Sequence, residues 1–322
     1  MNVARVMFTR ATFSRKKTLM HLKAISIGDA VPRTDFDATV HSVFRSAVNL
    51  RPAKGSLLLT LIASGEADLP QGIRVNFPEG FSFERLCIGS KVICQDNFLD
   101  FENSSLMIEL REAKRWKCDL PALGADMANP TVAAAWKCVW QFLNERQRRL
   151  EAEIVAEALF RSDEPAQSAI SRRAGEAIYA LLDATRRYNL DHTSMLNTLI
   201  GLGSGLTPSG DDLLVGYLAG LWCTVQDRCE RVQSVSKLGK AVIHLSRQTN
   251  DISRTYLYHA SQGQVSSRLA DLAEVICRGE NSDRILSSVE SAMRVGHTSG
   301  MDAVTGLLIG LATWVSLGTP CT

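Results

Sequence analysis

The stretches SGDDLLVGYLAGL at residues 209–221 and SGMDAVTGLLIGL at residues 299–311 align without a gap and are identical at seven positions. Each stretch opens with Ser-Gly-x-Asp and then carries two glycines four residues apart. This self-similarity predicts an internal duplication, or two helices that meet about a pseudo-twofold axis. The two segments therefore decide the architecture of the second half of the chain.

The paired glycines predict how these two helices pack. Gly216 with Gly220, and Gly306 with Gly310, each leave one helix face without side chains, at a cost of about 1 kcal/mol per glycine relative to alanine. Close packing must offset this cost, so we expect the two helices to cross at the glycines. Because the glycines lie equally far from both helix starts, the starts should lie close together and point exposed amides into a common pocket.

Two converging helix starts predict an anion site. The first turn of a helix offers unpaired backbone N–H groups and the positive end of the helix dipole. Glycines there let a ligand approach the backbone, a histidine suits acid/base work, and an arginine can clamp a carboxylate or phosphate. The candidate catalytic residues are Asp211, Asp212, His297 and Asp302. The candidate substrate-binding residues are Gly205, Thr207, Ser209, Gly210, Arg254, Thr298, Ser299 and Gly300.

Each of these features also has a structural interpretation. Ser-x-x-Asp is a helix-capping pattern, Arg254 could pair with Asp251, and His297 could simply hydrogen-bond the backbone. The acids at the helix starts would repel a bare phosphate. Either they serve as caps and hydrogen-bond partners, or a hard cation such as Mg²⁺ lies between them and the ligand. No metal ligands are assigned, and no cofactor is firmly implied.

The first part of the chain has a different pattern. Short apolar runs alternate with Pro- and Gly-containing breakers between residues 26 and 120, which predicts strands joined by hairpins and loops. The predicted strands are Ala38–Phe44, Ser56–Ala63, Gly72–Phe77, Lys91–Gln95 and Leu106–Leu110. We expect a small antiparallel sheet, either a sandwich or a partly closed barrel.

After Pro130 the apolar residues recur with a period near 3.6, which predicts helices nearly to the end of the chain. The predicted helices are Ala133–Phe160, Ala166–Tyr188, Pro208–Val225, Val232–Gln248, Asp251–Gln262, Ser266–Arg278, Ser282–Val295 and Ser299–Ser316. The fold class is therefore α+β, a β-rich domain followed by an all-α bundle. The predicted domains are a poorly ordered extension over residues 1–25, a β-rich domain over 26–120 and a helical domain over 121–322.

Composition narrows the function classes. The 322 residues are 45% apolar and carry a net charge of +2, too little to build the field that nucleic-acid binding requires. Eight cysteines without a Cys-x-x-Cys pair predict reduced thiols and no zinc site. No apolar run reaches the length of a membrane span, so we expect a cytoplasmic protein. The acid-free, basic first 24 residues are also compatible with a transit peptide.

The string GLGSGLTPSGDDLLVG at residues 201–216 resembles the signature of the AllH family, and GHTSGMDAVTG at 296–306 and the stretch 249–263 are similar as well. The resemblance spans residues 26–317. It implies a subunit of oxamate carbamoyltransferase, a three-component enzyme of anaerobic allantoin breakdown that converts oxalurate and phosphate to oxamate and carbamoyl phosphate. The implied partners are the other subunits and a small anionic substrate such as oxalurate or carbamoyl phosphate.

Three functions therefore compete. In the first, the helix starts and Arg254 hold the carbamoyl or phosphoryl group while His297 or an aspartate moves a proton. In the second, the same surface belongs to a non-catalytic subunit that binds an effector or docks its partners. The third is metal-dependent hydrolysis through Asp211 and Asp212.

Overall fold

In the computed structural model the described residues are 20–102, 104–150, 152–160, 168–189, 191–226, 228–296 and 298–315. Residues 1–19 of the predicted N-terminal extension lie outside this set. The remaining six residues of that extension belong to the first strand, which begins at Met20.

The N-terminal part is a closed β-barrel. Its described strands are β1 (Met20–Gly28), β2 (Phe36–Val43), β3 (Ala47–Pro52), β4 (Leu59–Ala63), β5 (Gly72–Val75), β6 (Lys91–Gln95), β7 (Phe98–Phe101), β8 (Leu106–Glu109) and β9 (Lys114–Trp116). Eight of them follow the order β5-β4-β3-β2-β6-β7-β8-β1, and β1 closes the ring by pairing with β5. The short β9 pairs with the end of β1.

This barrel confirms the predicted α+β class. The sequence predicts a sandwich or a partly closed barrel, and the structure shows a fully closed barrel. Most strand pairings are antiparallel, as expected, but β1 runs parallel to β8 and β9, and β4 runs parallel to β5. Closure removes free sheet edges and encloses a core of alternating inward side chains, such as Val92 and Cys94 of β6.

Nine α-helices follow in the described residues. They are α1 (Pro130–Leu150), α2 (Ala169–Arg186), α3 (Thr193–Leu199), α4 (Ser209–Cys223), α5 (Cys229–Leu245), α6 (Asp251–Ala260), α7 (Ser267–Arg278), α8 (Ser282–Met293) and α9 (Ser299–Leu311). Among the described helices, none is both long and apolar enough to cross a lipid bilayer.

The centre of the helical part is the crossing of α4 and α9. A Cβ atom built on Gly216 would lie 1.8 Å from the carbonyl oxygen of Ala303, and one built on Gly306 would lie 2.0 Å from that of Leu213. Gly220 and Gly310 repeat the contact one turn further on, because a Cβ atom built on either glycine would lie 2.3 Å from a backbone oxygen of the opposite helix. The predicted crossing at the glycines is therefore confirmed, and its reciprocal contacts follow a pseudo-twofold relation.

The barrel docks against α6 and α7 through polar contacts. Nη2 of Arg51 lies 2.6 Å from Oδ2 of Asp251, and the Leu58 amide donates a 3.1 Å hydrogen bond to Oγ1 of Thr255. Further along, Asp68 and Ser267 exchange two hydrogen bonds, of 3.0 and 2.9 Å. These contacts fix the barrel loops beside the helix starts and leave two cavities between the halves.

Candidate functional site

The crossing brings the first residues of α4 and α9 into contact. Oγ1 of Thr207, just before α4, lies 2.7 Å from Oγ of Ser299, the first residue of α9. The N-cap positions belong to Pro208 and Thr298, and neither makes a side-chain capping hydrogen bond. Ser-x-x-Asp is therefore not a capping box in this protein, because its serines reach across to the opposite helix.

Each serine lies beside the acid of the other copy. The hydroxyls of Ser299 and Thr207 lie next to Asp212, and the hydroxyl of Ser209 lies next to Asp302. We call Asp212 with Ser299 the cavity pair and Asp302 with Ser209 the sealed pair. The duplicated sequence thus produces a reciprocal exchange between the two helix starts.

Both acids hold their protons more tightly than a free aspartate. Burial raises the pKa of Asp212 well above its usual value, the charge of Asp302 raises it further, and the hydroxyls of Ser299 and Thr207 oppose the rise. Burial also raises the pKa of Asp302 to about 7, against the effect of the Ser209 hydroxyl. Among the described residues, Oδ2 of Asp212 and both carboxyl oxygens of Asp302 lack a hydrogen bond of good geometry.

The two acids differ in what they face. Asp302 is fully buried, whereas Asp212 is partly exposed and lines a cavity of about 380 Å³, the helix-start cavity. The wall of this cavity includes Thr207, Asp212 and Ser299 from the helix starts, Ile62, Leu69 and Pro70 from the barrel, and Tyr256, His259 and Gln264 from α6 and the turn after it. The structure thus gives one acid access to a ligand and withholds it from the other.

Part of the cavity wall is polar and neutral near neutral pH, although the wall also includes the ionisable side chains of Glu66, Arg268 and Arg294. Burial raises the pKa of Tyr256 to about 12, and the nearby Asp212 adds to the rise. Burial lowers the pKa of His259 to about 4, which keeps its imidazole neutral. Nδ1 of His259 lies 3.4 Å from Oε1 of Gln264. These three side chains therefore give the helix-start cavity a set of neutral donors and acceptors.

The predicted array of free amides is not what the structure shows. The Gly210 amide donates to the carbonyl of Leu202, and the Gly300 amide donates to that of Val295, both within 2.9 Å. Cβ atoms built on these two glycines would lie 2.1 and 2.5 Å from carbonyl oxygens of Leu199 and Ala292. Gly210 and Gly300 therefore let α3 and α8 pack closely, and their amides are already occupied by the chain itself.

Asp211 has a structural environment. It accepts a 2.8 Å hydrogen bond from the Gly201 amide and a 2.6 Å hydrogen bond from Oγ1 of Thr249. Burial raises the pKa of Asp211, and these two donors oppose the rise. Each of its oxygens has a donor, so Asp211 offers a ligand no free oxygen. It ties the glycine-rich loop over residues 201–208, and the residues just before α6, to α4.

Glu153 is a residue of the site that sequence reasoning missed. It accepts a 2.7 Å hydrogen bond from Oγ of Ser204 and a 3.2 Å hydrogen bond from Oγ of Ser209. These donors, the Ser204 hydroxyl first, lower the pKa of Glu153. The prediction placed it inside a helix over residues 133–160, but α1 ends at Leu150, and the segment that follows turns back onto the glycine-rich loop.

The other predicted site residues divide by location. Thr207, Asp212, Ser299 and Gly300 line the helix-start cavity, whereas Gly205, Ser209, Gly210, Thr298, Asp211 and Asp302 do not. Arg254 lines the second cavity and not the helix-start cavity. Its Nη1 lies 3.7 Å from Oδ1 of Asp251, so the ion pair considered as the structural interpretation is present. His297 lies outside the described residues.

A cation held jointly by the three acids has no support in the geometry. Within the described ranges, no three His, Cys, Asp or Glu side chains converge on a point that could bind a metal ion. The carboxyl oxygens of Asp211 instead accept hydrogen bonds from Gly201 and Thr249. The arrangement instead suits proton exchange and hydrogen bonding through the cavity pair.

Comparison with known families matches both halves of the chain. A family model described as oxamate carbamoyltransferase subunit AllH matches residues 199–311, and one described as the AllH family N-terminal domain matches residues 23–115. No solved structure matches the chain. The first match contains both Ser-Gly-x-Asp helix starts, and the second covers nearly the whole barrel.

Proposed function

Because the chain belongs to the AllH family, we propose that it is the subunit of an oxamate carbamoyltransferase that binds the carbamoyl-bearing substrate, oxalurate, in the helix-start cavity. The family is named for a subunit of that enzyme, so other subunits complete the assembly. The observation that carries the proposal is the cavity pair, a partly exposed carboxyl with a raised pKa that lies beside two hydroxyls at the wall of a ligand-sized cavity.

The chemistry of a ureido group complements this wall. Such a group presents N–H donors and a carbonyl acceptor side by side. A protonated Asp212 offers both an O–H donor and a carbonyl acceptor, and either hydroxyl of Thr207 and Ser299 can donate or accept. Neutral His259 and Gln264 extend the same capacity along the cavity.

The charged end of the substrate has a partner at the cavity rim. Arg268 lines the cavity, with a side chain 21% exposed, 3.6 Å from Oε2 of Glu66. Its Nη2 donates a 2.7 Å hydrogen bond to the Gly65 carbonyl, which fixes the guanidinium against the barrel loop. A carboxylate at this rim would pair with Arg268 while the ureido end reaches Asp212.

In phosphorolysis a phosphate oxygen bonds to the ureido carbonyl carbon, and the bond from that carbon to the oxamate nitrogen breaks. The departing nitrogen needs a proton, which the raised pKa allows Asp212 to supply. The attacking phosphate releases a proton in the same turnover, and transfer of that proton to Asp212 restores the acid. Ser299 and Thr207 orient the carboxyl for both transfers.

The test compares matched substitutions in the assembled enzyme. The chain is co-expressed with its partner subunits, assembly is checked by size-exclusion chromatography, and oxalurate phosphorolysis is assayed. We expect Ser299→Ala to reduce turnover by about tenfold, because it removes a hydroxyl that lies next to the acid and opposes the rise of its pKa. Ser209→Ala is the control, since it makes the same change at the sealed pair. Unchanged turnover in the Ser299→Ala and Asp212→Asn enzymes, with normal assembly, contradicts the proposal.

A non-catalytic docking role is the second candidate, and one observation favours it. Leu206, in the loop before α4, is 58% exposed beside the helix starts, where an apolar side chain can contact another subunit. In this alternative, Leu206→Asp prevents co-purification of the partners while Asp212→Asn leaves turnover intact. If Asp212 instead acts on the substrate, Asp212→Asn reduces turnover.

A further inference from the structure

A second cavity lies between the barrel and the helices, on the other side of His259. It has a volume of about 660 Å³, and we call it the basic cavity after Lys54, Arg247 and Arg254 in its wall. His259 and Gln264 line both cavities, so the two spaces share a wall. The proposed function leaves the basic cavity without a role.

Positive charge dominates this wall. Within the described part of the chain, Lys54 and Arg247 make no ion pair or hydrogen bond, and Arg254 shares Asp251 with Arg51. The acid of the wall, Asp29, is already paired with Arg33 at 2.8 Å. Burial keeps His259 neutral by lowering its pKa to about 4. The uncompensated cations therefore attract an anion.

A buried amide adds a second requirement. Gln71 lines the basic cavity, is 2% exposed, and its Oε1 has no hydrogen-bond partner among the described residues. An unsatisfied buried acceptor costs on the order of 1–3 kcal/mol, so a ligand that donates to it gains affinity. Nε2 of His259 is likewise buried without a partner, at the boundary of the same cavity.

We infer that the basic cavity binds a small metabolite that carries both an oxyanion and a hydrogen-bond donor. The oxyanion lies between Lys54, Arg247 and Arg254, and the donor reaches Gln71. Phosphate meets both conditions through its remaining O–H group, and a carboxylate that bears an amide meets them through its N–H group. This inference does not depend on the proposed function, because it concerns a different cavity.

Isothermal titration calorimetry on the full chain, without partner subunits, tests the inference with two matched ligand pairs. Inorganic phosphate is compared with sulfate, which has a similar shape but no O–H donor at neutral pH. Oxamate is compared with pyruvate, in which a methyl group replaces the amino group. We expect the donor-bearing member of at least one pair to bind at least tenfold more tightly, and that pair identifies the kind of ligand.

Protein variants then locate the binding. Arg247→Gln and Lys54→Gln, both exposed positions, should each weaken binding by about fivefold to tenfold, and Gln71→Met should abolish the preference within the pair. Arg278→Gln, an exposed arginine of α7 paired with Glu274, is the control and should leave binding unchanged. The inference is overturned if none of the four ligands binds, if both members of each pair bind equally, or if Arg247→Gln and Lys54→Gln leave the affinity unchanged.

Discussion

The cavity pair and the sealed pair begin from the same four-residue pattern and end in different environments. In each, an aspartate in the first turn of one helix meets the first serine of the other. Asp212 opens onto a ligand-sized space beneath the barrel loops, whereas Asp302 is fully buried and Ser209 also donates to Glu153. Duplication thus encodes the crossing, while the surroundings decide which copy becomes a site.

Breaking the crossing itself should have the largest effect on both pairs. Gly306→Ala places a methyl group 2.0 Å from the Leu213 oxygen, so the helices must separate. We expect the free energy of unfolding to fall by roughly 3 kcal/mol or more.

Chemical denaturation of Gly175→Ala provides the matched control. Gly175 is also helical, but its added Cβ would meet its nearest neighbour, Cα of Leu159, at an ordinary 3.4 Å. That change should be neutral or stabilising by up to about 1 kcal/mol. Equal losses in the two variants would mean that the glycines do not set the approach of α4 and α9.

The sealed pair should reveal itself in the pH dependence of stability. Asp302 has a pKa near 7 when folded and near 3.8 when unfolded. Between these values the folded state keeps a proton that the unfolded state has lost, so stability falls as pH rises, on the order of 1 kcal/mol per pH unit. Above pH 7 Asp302 is ionised in both states, so the stability that its ionisation costs no longer changes with pH.

Asp302→Asn removes this contribution. Denaturation is measured from pH 4 to pH 8. The free energy of unfolding should fall less steeply with pH for the variant, which becomes more stable than the parent chain at pH 8. Curves that stay parallel over the whole range would show that Asp302 ionises like an exposed aspartate.

The contact between the two helix starts should have a smaller effect. Thr207→Val keeps the shape of the side chain but removes the 2.7 Å contact with Ser299, at a cost of about 1 kcal/mol of stability. Thr198→Val is the control, because its hydroxyl donates to the Ser194 carbonyl of its own helix and makes no contact with another helix among the residues that the structure describes. If the two variants unfold at indistinguishable midpoints, the contact between Thr207 and Ser299 does not stabilise the fold.

The repeat was readable in the sequence because it is local and periodic. Seven identities and the glycine spacing were sufficient to predict the crossing at Gly216 and Gly306, and alternating apolar runs were sufficient for the β-rich half. Strands such as β3 were not predicted, because Arg51 and Pro52 have the composition of a loop. In the structure Pro52 lies at the end of the strand, opposite Ala38.

The cavities were not readable, because they depend on long-range contacts. Nothing near Asp212 in the chain indicates that Leu69 and Pro70, which precede β5, line the same cavity, or that Glu153 folds back onto Ser204. The role of Gly210 was misjudged for the same reason, since its neighbour is the carbonyl of Leu199 and not a ligand. Periodicity reports which face is buried, but not what lies against it.

The most direct test of the account measures oxalurate phosphorolysis by the assembled enzyme with Asp212→Asn and, separately, with Asp302→Asn. The two substitutions make the same chemical change in the same pattern, and only Asp212 lines the cavity. We expect kcat/KM to fall by about 100-fold for Asp212→Asn and by only a few-fold for Asp302→Asn. Equal losses, or a larger loss for Asp302→Asn, would contradict it.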